Sequence, residues 1–198
     1  MSGVQRDFAP VNPYRIVRDF EQALAEYTGA PHVVTVSSCT MALLLAVKWS
    51  LRDRPQKRVQ IPKRTYVGVV QSIMHAGGIP TYRDEDWQGE YKLVPLDVWD
   101  CARRFTSDMY SVGRYQCVSF HHTKTLGLAG HGGAILHDDT EADGWFRRMR
   151  FDGRTEEVRP VSDTFLRGCY HCYMTPATAA EGLMRLSVLP DNNPDLTK

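Results

Sequence analysis

The stretch that most constrains the fold of this chain has two short β-type segments with a single lysine between them. Residues 115–120 are strand-forming, a polar loop with Lys124 follows, and a second strand-forming segment covers 134–136. Glycines at 127, 130, 132 and 133 permit backbone conformations that a Cβ atom forbids and let a ligand approach closely. The pattern fits either a glycine-rich hairpin with a solvated lysine or a ligand site at a strand end.

A second constraint is a strand, a hydroxyl-rich turn and a buried helix in succession between residues 33 and 51. The strand is β-branched, the turn 37–40 reads Ser-Ser-Cys-Thr, and the residues from 41 onward are apolar on almost every side. Backbone N–H groups and the positive end of the helix dipole converge at such a turn and form an anion site. An ordinary N-cap by Ser38 or Thr40 explains the same residues.

The composition excludes several classes of function. With 198 residues, 42% of them hydrophobic, and a net charge of +1, the chain is large enough for one good core and shows no bias toward nucleic acids or membrane surfaces. No apolar run approaches the roughly 20 residues of a membrane span, and the N-terminus lacks the apolar core of a signal peptide. We therefore predict a cytoplasmic protein.

The cysteines predict reduced thiols and no metal site. Five cysteines, an odd number, are scattered through apolar stretches, which is not typical of a disulfide framework. Cys169 and Cys172, with His171 between them, have the spacing of one zinc-ligand pair, but no second pair stands at structural-zinc spacing. A Cys/His metal protein stays an alternative that the metal content of the purified protein would test.

Periodic apolar residues predict two amphipathic helices. Asn12 and Pro13 signal the start of the first, and Gly29 ends it. The second covers 141–151, and its arginines at 147, 148 and 150 are expected to form a solvated face.

A known family shares the lysine block. Ser119-Phe120-x-x-Thr123-Lys124, followed by Gly130-x-Gly132-Gly133-Ala134 and Asp138-Asp139, resembles the corresponding block of the DegT/DnrJ/StrS-type sugar aminotransferases. These are fold-type I enzymes that use pyridoxal 5'-phosphate (PLP). The resemblance implies that Lys124 attaches to the aldehyde of the cofactor and, as a free base, moves a proton between substrate and cofactor. It also places Ser119 in the cofactor site.

Two further stretches resemble the family's binding sites for the phosphate and the ring of PLP. The turn at 38–40 is similar to a phosphate-binding Ser-Gly-Thr, which nominates Cys39 and Thr40. Because Cys39 replaces glycine, its backbone can serve there only with a negative φ. Tyr66 is similar to the aromatic residue that stacks on the pyridine ring. The alternative for Tyr66 is a tyrosine of the core.

Asp100 is similar to the family's carboxylate that pairs with the pyridine nitrogen and keeps it protonated, which makes the ring an electron sink. Asp97, three residues upstream, is its rival. The resemblance also places Arg103 near the phenolic oxygen of PLP.

The C-terminal stretch 169–189 resembles the block through which the family's subunits share their sites. His171 replaces an asparagine that reaches the PLP phosphate of the other subunit. The resemblance thus implies a homodimer in which Lys124 and His171 of one active site come from different chains.

The fold implied by the resemblance is α/β: the large domain of fold-type I PLP-dependent transferases, a three-layer sandwich with a mainly parallel sheet. Residues 84–99 are too short for the strand, helix and strand of the family and are expected to hold a single strand at 93–98. The chain also stops where the family's C-terminal small domain would begin. We therefore expect one reduced PLP-binding large domain over residues 1–198.

Together these features predict a PLP-dependent aminotransferase that acts on a keto-sugar nucleotide or a similar carbonyl compound, with glutamate or glutamine as amino donor. A PLP-dependent sugar dehydratase is an alternative, although dehydrating relatives commonly carry histidine where this chain has Lys124. A non-catalytic PLP- or sugar-binding remnant of the family is another. The absorbance spectrum of the purified protein is the first measurement to make.

Overall fold

The computed structural model describes residues 12–156 and 164–197. Within these ranges the elements are, in chain order, α1 (Arg15–Thr28), β1 (His32–Val36), α2 (Cys39–Leu51), β2 (Arg58–Pro62), α3 (Val67–His75), β3 (Ile79–Arg83), β4 (Tyr91–Leu93), β5 (Val98–Asp100), β6 (Tyr115–Ser119), β7 (Gly133–His137), α4 (Thr140–Arg150) and α5 (Pro176–Leu186). The N-terminal residues on which the expectation about a signal peptide rests lie outside the described residues. In the described ranges, no helix combines the length and apolarity that a bilayer crossing requires.

Five strands form one mixed sheet in the order β1-β7-β6-β5-β4. Only β5 and β6 are parallel; β1 with β7, β7 with β6, and β5 with β4 are antiparallel. β2 and β3 form a separate parallel pair, which a bridge between Gln60 and Val94 joins to the β4 edge. The expectation of a mainly parallel sheet is therefore wrong, since antiparallel pairing dominates the main sheet.

A short connection explains the antiparallel edge. Residues 94–97 alone separate β4 from β5. Parallel neighbours need a crossover of about a dozen residues or more, whereas a short connection returns the chain as a hairpin. The single strand expected at 93–98 is also wrong, because a turn with a cis Val94-Pro95 bond occupies that segment and short strands flank it.

Helices cover both faces of the main sheet, as the three-layer sandwich requires. On one face α1 packs against α5, and Phe20, Leu24 and Phe120 are buried between these helices and the sheet. On the other face lie α2 and α4, with α3 packed against α2, and Ile135 and Phe146 are buried there. The three-layer α/β architecture predicted from the sequence is thus confirmed.

The first two helices end and pack as their sequences predict. α1 ends because Gly29 takes a left-handed conformation with φ 76°, and its N–H donates to the carbonyl of Ala25. α2 is apolar all round and is enclosed between the sheet and α3, which is the environment that such a helix needs.

The arginines of α4 do not form the solvated face that was expected. Arg150 is fully buried and donates to the carboxylate of Glu21 and to the carbonyl oxygen of Thr35 in β1. Arg147 donates to the other carboxylate oxygen of Glu21 at 2.6 Å. Burial disfavours the charged carboxylate, but the two arginines outweigh it and lower the pKa of Glu21 to about 2. A buried ionic cluster thus ties α1, β1 and α4 together.

Candidate active site

A cavity of about 840 Å³ opens at the carboxyl ends of three strands. β1 and β6 run in the same direction because both are antiparallel to β7, and β5 is parallel to β6. Their ends therefore deliver Ser37, Asp100 and Ser119 to the same edge of the sheet, and all three line the cavity. Crevices at this edge are where open α/β sheets bind ligands.

The N-terminus of α2 forms one wall of the cavity. The hydroxyl of Ser38 caps the helix by accepting a hydrogen bond from the N–H of Met41 at 3.2 Å. Cys39 begins the helix and is not among the described residues with positive φ, so the condition for a cysteine in place of glycine is met. Free N–H groups and the helix dipole make this wall suited to a phosphate or another anion.

Two glycines allow β7 to approach this wall closely. A Cβ atom on Gly133 would lie 2.5 Å from the backbone nitrogen of Cys39, a distance that no side chain tolerates. Gly132 has φ 140°, and its carbonyl accepts a hydrogen bond from the N–H of Phe120 at 2.9 Å. The glycine-rich segment therefore brings the lysine loop beside the start of α2.

Lys124 lies half-buried in the loop between β6 and β7 and lines the cavity. A tight turn, in which its backbone N–H donates to the carbonyl of His121 at 2.7 Å, presents the side chain. β6 and β7 are antiparallel neighbours, so this part of the chain does have the strand pairing of a glycine-rich hairpin. Lys124, however, lines a cavity and is not the solvated lysine expected of a plain hairpin. Its charge favours the ionised forms of two buried groups, Asp100 and Cys39.

Asp100 is a buried carboxyl group with two hydrogen-bond donors. The hydroxyl of Tyr91 donates to Oδ2 at 2.8 Å, and the N–H of Ala102 donates to Oδ1 at 2.9 Å. Burial raises the pKa of Asp100, against the opposing influence of these two bonds and of the charges on Lys124 and Arg103. A cationic partner in the cavity would stabilise the ionised carboxylate.

Asp97, the rival of Asp100, is in a different environment. Its side chain is more than half exposed and accepts a hydrogen bond from the ammonium group of Lys92 at 2.7 Å. Of the two aspartates, only Asp100 contributes to the lining of the cavity.

Most of the site residues predicted from the sequence come together in this cavity: Cys39, Thr40, Tyr66, Asp100, Arg103, Ser119 and Lys124 all line it. Tyr66 is 71% exposed, which excludes the alternative of a core tyrosine. His171 is the exception, because it is exposed, does not line the cavity and has its Nδ1 atom 2.7 Å from a carboxylate oxygen of Asp152. Its predicted role concerns a second chain and stays a prediction.

Sequence reasoning missed the residues that support Asp100. Tyr91 stands directly opposite Asp100 in the β4–β5 ladder, and the hydroxyl of Thr65 lies 2.5 Å from the hydroxyl of Tyr91. Burial raises the pKa of Tyr91, so this hydroxyl stays a hydrogen-bond donor. Arg64 and Trp87 also line the cavity. The sequence does contain a signal for Tyr91: the apolar residues Tyr91 and Leu93 alternate with Lys92, a pattern that predicts a half-buried strand with Tyr91 on its buried side.

These features define a class of protein: a three-layer α/β domain in which a lysine and a buried aspartate share a strand-end cavity with the N-terminus of a buried helix. The sequence matches the DegT/DnrJ/EryC1/StrS aminotransferase family over residues 9–107 and 99–195. The two matched segments together cover most of the chain. The chain therefore belongs to this family.

Curated relatives agree with this assignment, and solved structures share the fold. The UDP-N-acetyl-3-dehydro-alpha-D-glucosamine 3-aminotransferase of Acidithiobacillus ferrooxidans is 24% identical over 178 residues, covering 69% of this chain and 48% of the relative. AtS13 from Actinomadura melliaura has a similar structure, with a TM-score of 0.76, 24% identity, and coverage of 88% of this chain and 60% of that one. The structure of ntda from Bacillus subtilis with bound cofactor PMP gives a TM-score of 0.69 at 20% identity, covering 92% and 49%. The chain spans about half the length of the curated relatives it matches.

Proposed function

We propose that this chain is a reduced PLP-binding large domain, over residues 1–198, that transfers an amino group to the keto carbon of a nucleotide-linked sugar or a similar carbonyl compound. Glutamate or glutamine is the proposed amino donor. The observation that carries the proposal is the presence of Lys124 and Asp100 in one cavity with the N-terminus of α2. The name of the Acidithiobacillus relative, an aminotransferase of a UDP-linked dehydro sugar, supports the choice of acceptor.

The cavity has a suitable group for each part of PLP. The N-terminus of α2, with the hydroxyl of Thr40, suits the phosphate. The exposed ring of Tyr66 at the cavity wall suits stacking on the pyridine ring. Asp100 suits the ring nitrogen, because a buried carboxylate and a protonated nitrogen stabilise each other's charge. When bound, PLP supplies the electron sink that makes the substrate's Cα–H bond acidic.

The other residues have roles that follow from their positions. With PLP present, Lys124 would be the residue that holds the cofactor through its aldehyde, and Nζ as a free amine would be the group that accepts and returns the substrate's proton. Tyr91 keeps Asp100 oriented through its hydrogen bond to Oδ2. Arg103 and Ser119 line the cavity and are assigned to the polar atoms of the cofactor, with Arg103 toward the phenolic oxygen.

A cytoplasmic homodimer with shared active sites is the assembly that we propose for this function. Tyr66 and Val67 are 71% and 62% exposed at the start of α3, beside the cavity, and a second chain would remove these apolar side chains from water. His171 is exposed and therefore accessible to the active site of a partner. The odd number of cysteines, scattered through apolar stretches, supports a reducing compartment.

The test of the function begins with the spectrum of the purified protein after addition of PLP. We expect a visible absorption band, and reduction with borohydride should fix the cofactor to Lys124 in a peptide map. Lys124→Ala should lose both signals. Lys63→Ala, which removes an exposed lysine paired with Asp84, should keep both.

Incubation with a UDP-linked keto sugar and glutamate then separates the alternatives by mass spectrometry. An amino sugar supports the aminotransferase. Loss of water without gain of nitrogen identifies a dehydratase, and a labelled but unreactive protein identifies a non-catalytic remnant. A protein with no visible band, or with the label on another lysine, contradicts the proposal itself.

A further inference from the structure

Three histidine rings meet on the two arms of the loop between β6 and β7, and two of them, His121 and His131, line the cavity. His121 and His122 follow β6, and His131 precedes β7. The ring centroid of His121 lies 4.0 Å from that of His122 and 4.8 Å from that of His131. One nitrogen of each ring lies within 4.8 Å of the other two. In the described part of the chain, no other three potential metal ligands converge in this way.

Backbone hydrogen bonds hold the two arms of this loop together. The N–H of Leu128 donates to the carbonyl of Phe120 at 2.8 Å, and the N–H of His131 donates to the carbonyl of Leu128 at 3.2 Å. His121 and Leu128 also form a parallel β-bridge. The chain therefore returns at Leu128 to the level of His121, and this brings His131 beside the other two histidines.

The ring of His121 is held by a neighbouring hydroxyl. Two groups of Thr123 face Nδ1 of His121: Oγ1 lies 2.9 Å from this nitrogen, and the backbone N–H approaches it at 3.4 Å. The tautomer in which Nδ1–H donates to Oγ1 leaves the lone pair of Nε2 free for a ligand. Histidines that bind metals are usually oriented by a hydrogen bond of this kind from the second nitrogen.

We propose that His121, His122 and His131 together bind a divalent late transition-metal ion such as Zn²⁺. Imidazole nitrogen is a preferred ligand for Zn²⁺, Ni²⁺ and Cu²⁺, and three protein ligands leave a fourth position open for water. With Zn–N bonds of about 2.0–2.1 Å, the nitrogens of a tetrahedral site lie about 3.4 Å apart. His122 and His131 are exposed, so rotation of side chains can close the cluster from its present spacing.

The pair Cys169 and Cys172 is a poorer metal site than the histidine cluster. Burial raises the pKa of the Cys172 thiol to about 12, and the thiol of Cys169 donates to the carbonyl of Leu166 at 3.3 Å. The thiolate is the form that binds a metal, and both environments disfavour it. His171, which lies between the two cysteines, is hydrogen bonded with Asp152.

The experiment is a titration of the untagged, chelator-treated protein with Co²⁺, followed by its visible absorption, and then displacement of Co²⁺ by Zn²⁺. We expect saturation at one ion per chain. Loss of an outer-shell partner typically lowers metal affinity about 10- to 100-fold, so His122→Ala and His131→Ala, which each remove a ligand, should lower it about 100-fold or more. Thr123→Val should lower it about 10- to 100-fold through the orientation of His121.

Two control variants make the result specific. His75→Ala removes an exposed histidine at the end of α3, and Cys172→Ser disables the cysteine pair; both should bind Co²⁺ as the wild type does. Circular dichroism checks that each variant is folded. No saturable binding, or binding that His122→Ala and His131→Ala leave unchanged, would overturn the proposal, as would loss of binding in Cys172→Ser alone. The titration is done without PLP, so its outcome is independent of the proposed function.

Discussion

Replacing Glu21 with glutamine tests whether the buried ionic cluster stabilises the domain. The substitution keeps the side-chain shape and one oxygen that can accept the 2.9 Å hydrogen bonds from the N–H and hydroxyl of Thr35. It removes the negative charge between Arg147 and Arg150. Thr35 lies in β1, which leads into the turn at the N-terminus of α2, so the cluster supports the strand that positions the anion-binding wall.

Two independent estimates give the size of the effect. A pKa lowered from 4.5 to about 2 corresponds to about 3 kcal/mol of folding stability at pH 7. Removing one partner of a buried ion pair typically costs about 3–5 kcal/mol, because the remaining charge is left without compensation. Arg150 also pairs with Glu156, so we expect Glu21→Gln to fall at the low end of this range. We therefore predict a loss of about 3 kcal/mol.

The dependence on pH distinguishes charge from packing. The folded-state pKa of Glu21 is lower than its unfolded value, so its contribution is complete above about pH 4.5 and disappears as pH falls toward 2. The difference between wild type and variant should be equal at pH 7 and pH 5 and should fall to about half at pH 3.

Urea unfolding monitored by circular dichroism at these three pH values measures the difference in free energy of unfolding. Glu26→Gln is the matched control, because Glu26 lies on the exposed side of the same helix, and it should change stability by no more than about 0.5 kcal/mol. A loss below about 1 kcal/mol for Glu21→Gln at pH 7, or a loss that stays the same at pH 3, would refute the reasoning.

Two further predictions concern the active site. Asp100→Asn should keep PLP bound while lowering amino transfer about 100-fold or more, the scale of losing one preorganised electrostatic group, whereas Asp97→Asn should be active; the opposite pattern would show that the carboxylate was misassigned. Lys124→Ala and His171→Ala are each expected to be inactive. A mixed dimer of one Lys124→Ala chain and one His171→Ala chain should regain activity, because one of its two active sites contains both substitutions and the other contains the natural Lys124 and His171. Continued inactivity in verified mixed dimers would reject the shared site.

The residues at the cavity that the sequence predicted are those whose position depends on local structure. Lys124 follows a strand and precedes glycines, and the hydroxyls at 38–40 stand between a strand and a helix, so each pattern fixes its own geometry. Whether Lys124 and the hydroxyls at 38–40 lie in the same cavity depends on the order of the strands in the sheet, and a local sequence pattern does not contain that order. The family resemblance supplied that information, and the cavity brings Cys39 and Lys124 together as it implied.

The partners of Arg150 could not be predicted, because they are far away in the sequence. Glu21 precedes it by 129 residues and Thr35 by 115. Helical periodicity places Arg150 on the same face as Ala142, Phe146 and Met149, but it does not show that a carboxylate of another helix meets it there. Charge usually indicates a solvated face, and only the tertiary contact reverses that expectation here.

The β4–β5 hairpin connects the two sheets of the domain beside the candidate active site. The segment before β5 is too short for a crossover helix, so β4 returns antiparallel and its register sets Tyr91 against Asp100. Tyr91 in turn lies next to Thr65, in the loop between β2 and α3, and the indole N–H of Trp87 donates to a carbonyl of that loop at 2.8 Å. The hairpin therefore binds the separate β2–β3 pair to the aspartate strand. Because this contact runs through the Tyr91 hydroxyl that orients Asp100, the hairpin and the candidate active site depend on the same residue.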